Sequence, residues 1–307
     1  MELLEKFDNL YVDFNNPIAE AGKAKGIQIK VSYNFIDFKK ENKIIRIAIK
    51  HFVYCQDIIN SFSYYFLAVT PKKEYGYDVV DYSSPLWHEV IGFDLHPIIF
   101  PSFAEPVITT QQYLEFANLK PGHNVIDLGA YSGLTSIIFS ESIGNTGTVV
   151  AIDADPQNIA CINSNISLYK KIRDHNIKIL HGAAWEHNEG LVFSSEGNMG
   201  SAAVEYVGIT RGSVINTASY TLSRITEETS MDHIDFIKCD IEGAEKMVFN
   251  DSHFFQKHSP RIMCETHICN GVETTDVVIQ KLSSYGYLCQ KILQHGVTLP
   301  LLQCYRA

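Results

Sequence analysis

The sequence predicts a doubly wound α/β sheet, mostly parallel, preceded by a β-rich N-terminal region. Three observations carry that expectation. Short apolar runs alternate with helix-length segments beyond residue 105, the pattern of βαβ units. Helix start and stop residues stand between the runs. Acidic residues gather where the apolar runs end.

The elements follow in order. "GIQIKVSYNF" and "KIIRIAIKHFVY" flank the polar turn "DFKKENK" and read as a hairpin. A helix is expected over Gln56–Ala68. An aromatic, proline-punctuated stretch, "YSSPLWHEVIGFDLHPIIFPSFAEP", follows. These features assign residues 1–104 to an N-terminal unit and residues 105–307 to the α/β unit. In the second unit, strands are expected at Asn124–Leu128, Val149–Asp153, Ile177–His181, Asp235–Cys239 and Arg261–Thr266. Helices are expected at Gly133–Ser142, Pro156–Lys170, Gly243–Asn250 and Val272–Tyr285. Asp155 before Pro156 is an N-cap followed by proline at the first helical position, and Gly286 suits a C-cap. "LVFSS", "AAVEYV" and "SVINTASYTL" read as an insertion of extra strands between Glu189 and Arg224. "YLCQKILQ" and "LPLLQCYRA" read as a closing hairpin.

Composition narrows the function. The chain has 307 residues, is 46% hydrophobic and carries a formal net charge of −10. That excess of acid argues against a nonspecific nucleic-acid binder, which needs basic surface. The seven cysteines follow no regular framework. "MELLEKFDNLYVDF" lacks the apolar core of a secretory signal. The stretch Ile58–Val69, broken by Asn60, Ser61 and Ser63, is shorter than the ~18 apolar residues of a span. The expectation is a cytoplasmic protein with reduced thiols and no transmembrane segment; a homo-oligomer is compatible with the sequence.

In such sheets a ligand binds beyond the carboxyl ends of the strands. Those ends carry Asp127, Asp153, Asp240, Glu265 and His267. The first strand runs into "IDLGAYSGLTS". A dinucleotide loop needs glycine at its middle position, so that the backbone can approach a diphosphate. Here that position holds Tyr131, between Gly129 and Gly133, and Asp127 would set a carboxylate near an anion. S-adenosylmethionine carries a sulfonium and an ammonium but no phosphate, so it suits this turn better. Asp153 stands 24 residues after Gly129, where a ribose-binding acid belongs in either class. A nicotinamide-dependent oxidoreductase and a non-catalytic cofactor-binding protein stay open as alternatives.

Four segments, "VIDLGAYSGLTS", "VVAIDADP", "GAAW" and "IDFIKCDIEGAE", resemble the FkbM family of S-adenosylmethionine-dependent methyltransferases. The resemblance runs from about Glu105 to the C-terminus. It implies a class I methyltransferase, Rossmann-like fold with an antiparallel last strand, and O-methylation of a hydroxyl on a sugar, glycan or secondary metabolite. It implies that Asp127, Gly129, Ala130, Tyr131, Ser132 and Gly133 surround the methionine part of the cofactor. Asp153 and Ala154 would take the ribose and the adenine edge, Ala183 and Ala184 would border the adenine, and Asp240 would sit beside the sulfonium.

Methyl transfer is an in-line displacement that needs alignment and removal of the acceptor proton. Asp240, Glu242 and His267 are the catalytic candidates, with Glu265 beside them. Trp87, His88, His96 and Glu105 are candidates for an acceptor pocket or lid, and residues 1–104 are a candidate acceptor-binding or lid domain. Cys239, Cys264, His267 and Cys269 invite a zinc reading. Strand alternation and the spacing of Cys264 from Cys269 argue against it; carboxylates near the acceptor holding Mg²⁺ stay open as an alternative, and no metal is assigned.

Overall fold

The computed structural model describes residues 17–204, 212–269, 271–293 and 299–306. The opening stretch "MELLEKFDNLYVDF" and part of "AAVEYV" lie outside the described residues.

The N-terminal sheet is built from β1 (Gln28–Val31), β2 (Phe35–Lys40), β3 (Lys43–Ala48), β4 (Lys72–Glu74) and β5 (Tyr77–Tyr82), in the order β1-β2-β3-β5-β4. The expected hairpin is present as β2 and β3, but its turn is only Glu41 and Asn42. Asp37 to Lys40 are strand rather than turn, because Phe38 alternates inward and is fully buried. Ile49–Tyr54 is a 3-10 segment and not strand. The helix expected over Gln56–Ala68 is two short helices, α1 (Cys55–Asn60) and α2 (Phe62–Leu67), parted at Ser61. Among the described residues no helix is long and apolar enough to cross a membrane.

The second sheet has seven strands: β6 (Asn124–Leu128), β7 (Thr148–Asp153), β8 (Ile177–His181), β9 (Phe236–Cys239), β10 (Arg261–Glu265), β11 (Leu288–Ile292) and β12 (Leu301–Tyr305). Their order is β8-β7-β6-β9-β10-β12-β11. All pairings are parallel except those of β12, which runs antiparallel to both neighbours. All six residues of β7 are buried, as expected of a strand covered on both faces.

The helices covering this sheet are α3 (Val107–Ala117), α4 (Leu134–Ile143), α5 (Pro156–Tyr169), α6 (Leu222–Thr229), α7 (Glu245–Val248), α8 (Ser252–Lys257) and α9 (Thr275–Ser284). The Asp155 side chain caps α5 by accepting from the Gln157 amide at 2.8 Å. Two helices are shorter than the sequence suggests. Residues 241–244 form a tight turn before α7. Val272–Glu273 pairs with Ile268–Cys269 before α9 begins.

The insertion forms its own sheet of Ala202–Ala203, Leu191–Ser195 and Ser213–Thr217. Asp155 ties it to the main sheet, accepting from Ser195 Oγ, Gly197 N and Ser201 Oγ at 2.8–2.9 Å. The N-terminal region is joined by packing. One apolar cluster runs from Phe38, Ile45 and Phe103 to Ala130, Tyr131, Leu134 and Ile162. The strand ends therefore open into a space walled by three parts of the chain.

Candidate active site

The turn after β6 begins with Gly129 at φ +74°. A Cβ there would overlap the carbonyl oxygen of Asp240, so only glycine lets β6 and β9 close together. Tyr131 also adopts a left-handed backbone, φ +50°. Its N–H donates to Asp153 Oδ2 at 2.8 Å. Its side chain turns toward the N-terminal region. The hydroxyl donates to the Phe103 carbonyl at 2.7 Å and accepts from the Ser102 amide at 3.2 Å. Gly133, φ +78°, brings α4 against Ile162 of α5.

A cavity of about 230 Å³ opens over this turn. Gly129, Tyr131, Asp153, Ala154, Ala183 and Ala184 line one part. Asp240, Glu242, Glu265, Glu105, Tyr64 and Tyr113 line another. Five carboxylate residues thus face the cavity, and among the described lining residues there is no lysine or arginine. Burial raises the pKa of Asp153 to about 7, despite hydrogen bonds from Asp155 N, Tyr131 N and Asn158 Nδ2. Burial likewise raises Glu105 to about 7, although Lys238 pulls in the other direction.

Lys238 is the residue that sequence reasoning missed. It lies on β9, in register with Asp127 on β6. Its ammonium donates to the Gly129 carbonyl at 2.7 Å and lies 3.6 Å from Asp127 and 3.4 Å from Asp240. Burial works against its charge, but Asp240, Asp127, Glu105 and Glu265 outweigh that and raise its pKa above the ordinary lysine value. Its signal was a lone lysine inside an otherwise apolar, fully buried strand, which requires a charged partner.

Lys238 defines the surroundings of Asp127. That carboxylate does not face the cavity; it is fully buried, accepts from Ser136 Oγ at 2.6 Å and answers Lys238. Its cation comes from within the chain. Ala130, Ser132 and Gly133 also lie outside the cavity lining. Ser132 and Ala130 are held by the turn: Leu134 N donates to Ser132 Oγ, and Ala130 N to Ile152 O.

Beyond β9 the chain turns sharply at Glu242, φ +52°, and Gly243, φ +100°. A Cβ on Gly243 would collide with the Cys269 sulfur. The buried Glu245 carboxylate holds the turn, accepting from Ile241 N at 3.3 Å and Gly243 N at 3.0 Å. The same oxygen lies 2.8 Å from His267 Nδ1. His267 Nε2 then lies 3.6 Å from both Asp240 Oδ1 and Glu242 Oε1. Burial lowers the affinity of His267 for a proton, yet Glu242, Glu245 and Asp240 together raise its pKa well above the ordinary value. All three catalytic candidates therefore meet, with Asp240 and Glu242 on the cavity wall and His267 behind them.

Of the four acceptor-pocket candidates, only Glu105 lines the cavity. His88 is buried against the Tyr82 and Phe100 rings, and burial lowers its pKa to about 4. His96 is buried beside Phe93, its Nδ1 2.8 Å from the Pro97 carbonyl. Trp87 is an outward residue of a short strand paired with Ile98–Phe100. Cys239 and Cys264 are buried register partners in β9 and β10, and among the described residues the metal-type grouping is Asp240, Glu242 and His267, without cysteine.

The strand order, with β12 reversed between β10 and β11, defines a class I methyltransferase fold. The methyltransferase FkbM domain matches residues 127–289, and the chain belongs to that family of S-adenosylmethionine-dependent methyltransferases. Solved structures similar to it include a precorrin-6y C5,15-methyltransferase from Geobacter metallireducens, with 13% identity, TM-score 0.40, and 64% of this chain and 87% of the other covered. A fibrillarin from Aeropyrum pernix with natively bound S-adenosyl-L-methionine has 12% identity, TM-score 0.40, and coverage of 91% and 98%. A SAM-dependent O-methyltransferase from Thermotoga maritima has 11% identity, TM-score 0.38, and coverage of 66% and 65%. No curated relative matches the chain.

The residues fit this cofactor. Asp153 keeps acceptor capacity on Oδ2, which takes one donor. Ala154, Ala183 and Ala184 leave room beside it for a flat ring. The acidic lining suits a sulfonium and opposes a diphosphate.

Proposed function

We propose that the chain catalyses O-methylation of a hydroxyl on a sugar, glycan or secondary metabolite. The observation that carries this is the acidic cavity: Glu105, Asp240, Glu242 and Glu265 face it together with Tyr64 and Tyr113. Carboxylates and phenols accept hydrogen bonds from a polyol and orient its hydroxyls. When bound, S-adenosylmethionine supplies an electrophilic methyl group on a sulfonium.

The chain's own residues do the rest in this reading. Asp153 accepts from the ribose hydroxyls, and Ala183 and Ala184 flank the adenine. The backbone of Gly129 and Tyr131 bounds the methionine part. Lys238, Ser136 and Asp127 hold the turn in place from below. The acceptor's proton is drawn off at the cluster of Asp240, Glu242 and His267 at the end of β9. Alignment of the reacting atoms at ~3–3.5 Å contributes several kcal/mol, and a placed base contributes about 10²–10⁴-fold. The acidic lining opposes a nicotinamide dinucleotide. The cysteines, buried except for the half-buried Cys289 and all outside disulfides, suit a reducing compartment such as the cytoplasm.

The test is methyl transfer from labelled S-adenosylmethionine to a panel of sugars, glycans and polyketide alcohols, with Asp240→Asn alongside. Label in an ether-linked methyl group, lost in the variant, is the expected result. Label found only on nitrogen or carbon overturns the O-methylation reading. An amine acceptor is the second reading, because the same carboxylate excess also attracts a cation.

A further inference from the structure

We propose that Asp240, Glu242 and His267 form a binding site for a divalent metal cation. One ligand atom from each residue, two carboxylate oxygens and His267 Nε2, lie within 4.8 Å of one another. The site stands at the C-terminal end of β9 and on the cavity wall.

Two features of the geometry point to a metal. First, His267 is oriented from behind. Its Nδ1 is 2.8 Å from the fully buried Glu245 carboxylate, and this contact fixes the ring and aims Nε2 at Asp240 and Glu242. A carboxylate behind a histidine is the usual outer support of a metal-bound imidazole. Second, the spacing from His267 admits an ion. Nε2 is 3.6 Å from each carboxylate, whereas a charge-assisted hydrogen bond closes to about 2.7–2.9 Å. Atoms each ~2.1 Å from a shared ion lie roughly 3.0–3.6 Å apart.

One imidazole and two carboxylates suit a first-row divalent ion better than Ca²⁺, which prefers six to eight oxygens. The cavity side of the site leaves room for an oxygen of an acceptor or of water to complete the coordination. The proposal does not depend on which acceptor is methylated.

The test uses the full-length protein, stripped with chelator, without cofactor or acceptor. Mn²⁺ is titrated calorimetrically and followed by paramagnetic broadening of the His267 ring protons. One ion per chain with selective broadening of His267 is expected. His267→Ala and Glu242→Gln should abolish saturable uptake. Glu245→Gln should weaken it by roughly tenfold to a hundredfold, acting through His267. Glu242 is the most exposed of the three, so its variant keeps the test open if His267→Ala does not fold. S-adenosylhomocysteine is titrated into the same samples. Wild-type protein that binds S-adenosylhomocysteine but takes up no Mn²⁺, or uptake unchanged in Glu242→Gln, overturns the metal site and leaves the methyltransferase reading intact. Mn²⁺ uptake without S-adenosylhomocysteine binding does the reverse.

Discussion

The Lys238 ammonium donates to the Gly129 carbonyl at 2.7 Å, so the glycine turn is held by a buried cation from the neighbouring strand. The same ammonium faces Asp127 and Asp240. It links the base of the turn to the proposed catalytic end of β9.

Lys238→Met leaves the buried Asp127 and the half-buried Asp240 without their cation. Breaking a buried pair on one side costs about 3–5 kcal/mol. Urea denaturation should show a loss in that range. Asp127→Asn added to Lys238→Met should recover part of it. Additive losses in the double variant would show that the two residues are uncoupled.

Gly129→Ala places a methyl group against the Asp240 carbonyl and strains a left-handed backbone. The backbone term alone is about 1–2 kcal/mol. Forcing β6 and β9 apart should also cost affinity for S-adenosylhomocysteine. Calorimetric titration of the folded variant checks this: an unchanged dissociation constant would mean the turn does not bound the cofactor.

Asp153 gives a pH dependence of defined sign. Its pKa in the folded chain is raised by burial from 3.8 to about 7, so the folded state binds this proton more tightly than the unfolded one. The associated stability is fully present below about pH 4 and is lost as pH rises through about 7. In the proposed site cofactor binding runs in the opposite direction, because ribose hydroxyls would donate to the ionised form. The dissociation constant for S-adenosylhomocysteine should fall between pH 6 and 8, by up to about tenfold per unit. Asp153→Asn should flatten the profile while weakening binding throughout.

Tyr131→Phe keeps the ring and removes the hydroxyl that bridges Phe103 O and Ser102 N. Two buried backbone groups lose a partner, at a cost of roughly 1–3 kcal/mol. Thermal unfolding should report it. Hydrogen exchange at the Ser102 amide should rise more than exchange in β7, which retains its own pairing.

Much of this architecture is legible in the sequence because buried strands are short apolar runs with sharp ends. Asn124–Leu128 and Ile177–His181 fall where expected, since polar turns bound them closely. Val107–Ala117 was not expected as a helix. Its opening Val-Ile-Thr-Thr is β-branched and its apolar face is weakly marked, so its helicity comes from packing over the sheet. The acids at the strand ends were visible, and most meet at one cavity. The role of Asp127 was not, because it depends on register. Only the pairing of β6 with β9 sets Lys238 beside it, and no linear spacing encodes that distance. His267 was visible as a strand-end histidine, while its support by Glu245 depends on the folded turn at Gly243.

The Tyr131 hydroxyl fastened to the Phe103 carbonyl bears on how such a chain can be recombined. A chimera joined at residues 104 and 105, carrying another protein's N-terminal portion, would disturb a bond made by the Gly129–Gly133 turn itself. A graft of that portion must therefore bring a backbone carbonyl to the same point, or replace Tyr131 together with the grafted segment. Tyr131 therefore belongs to the design of any join made between residues 104 and 105.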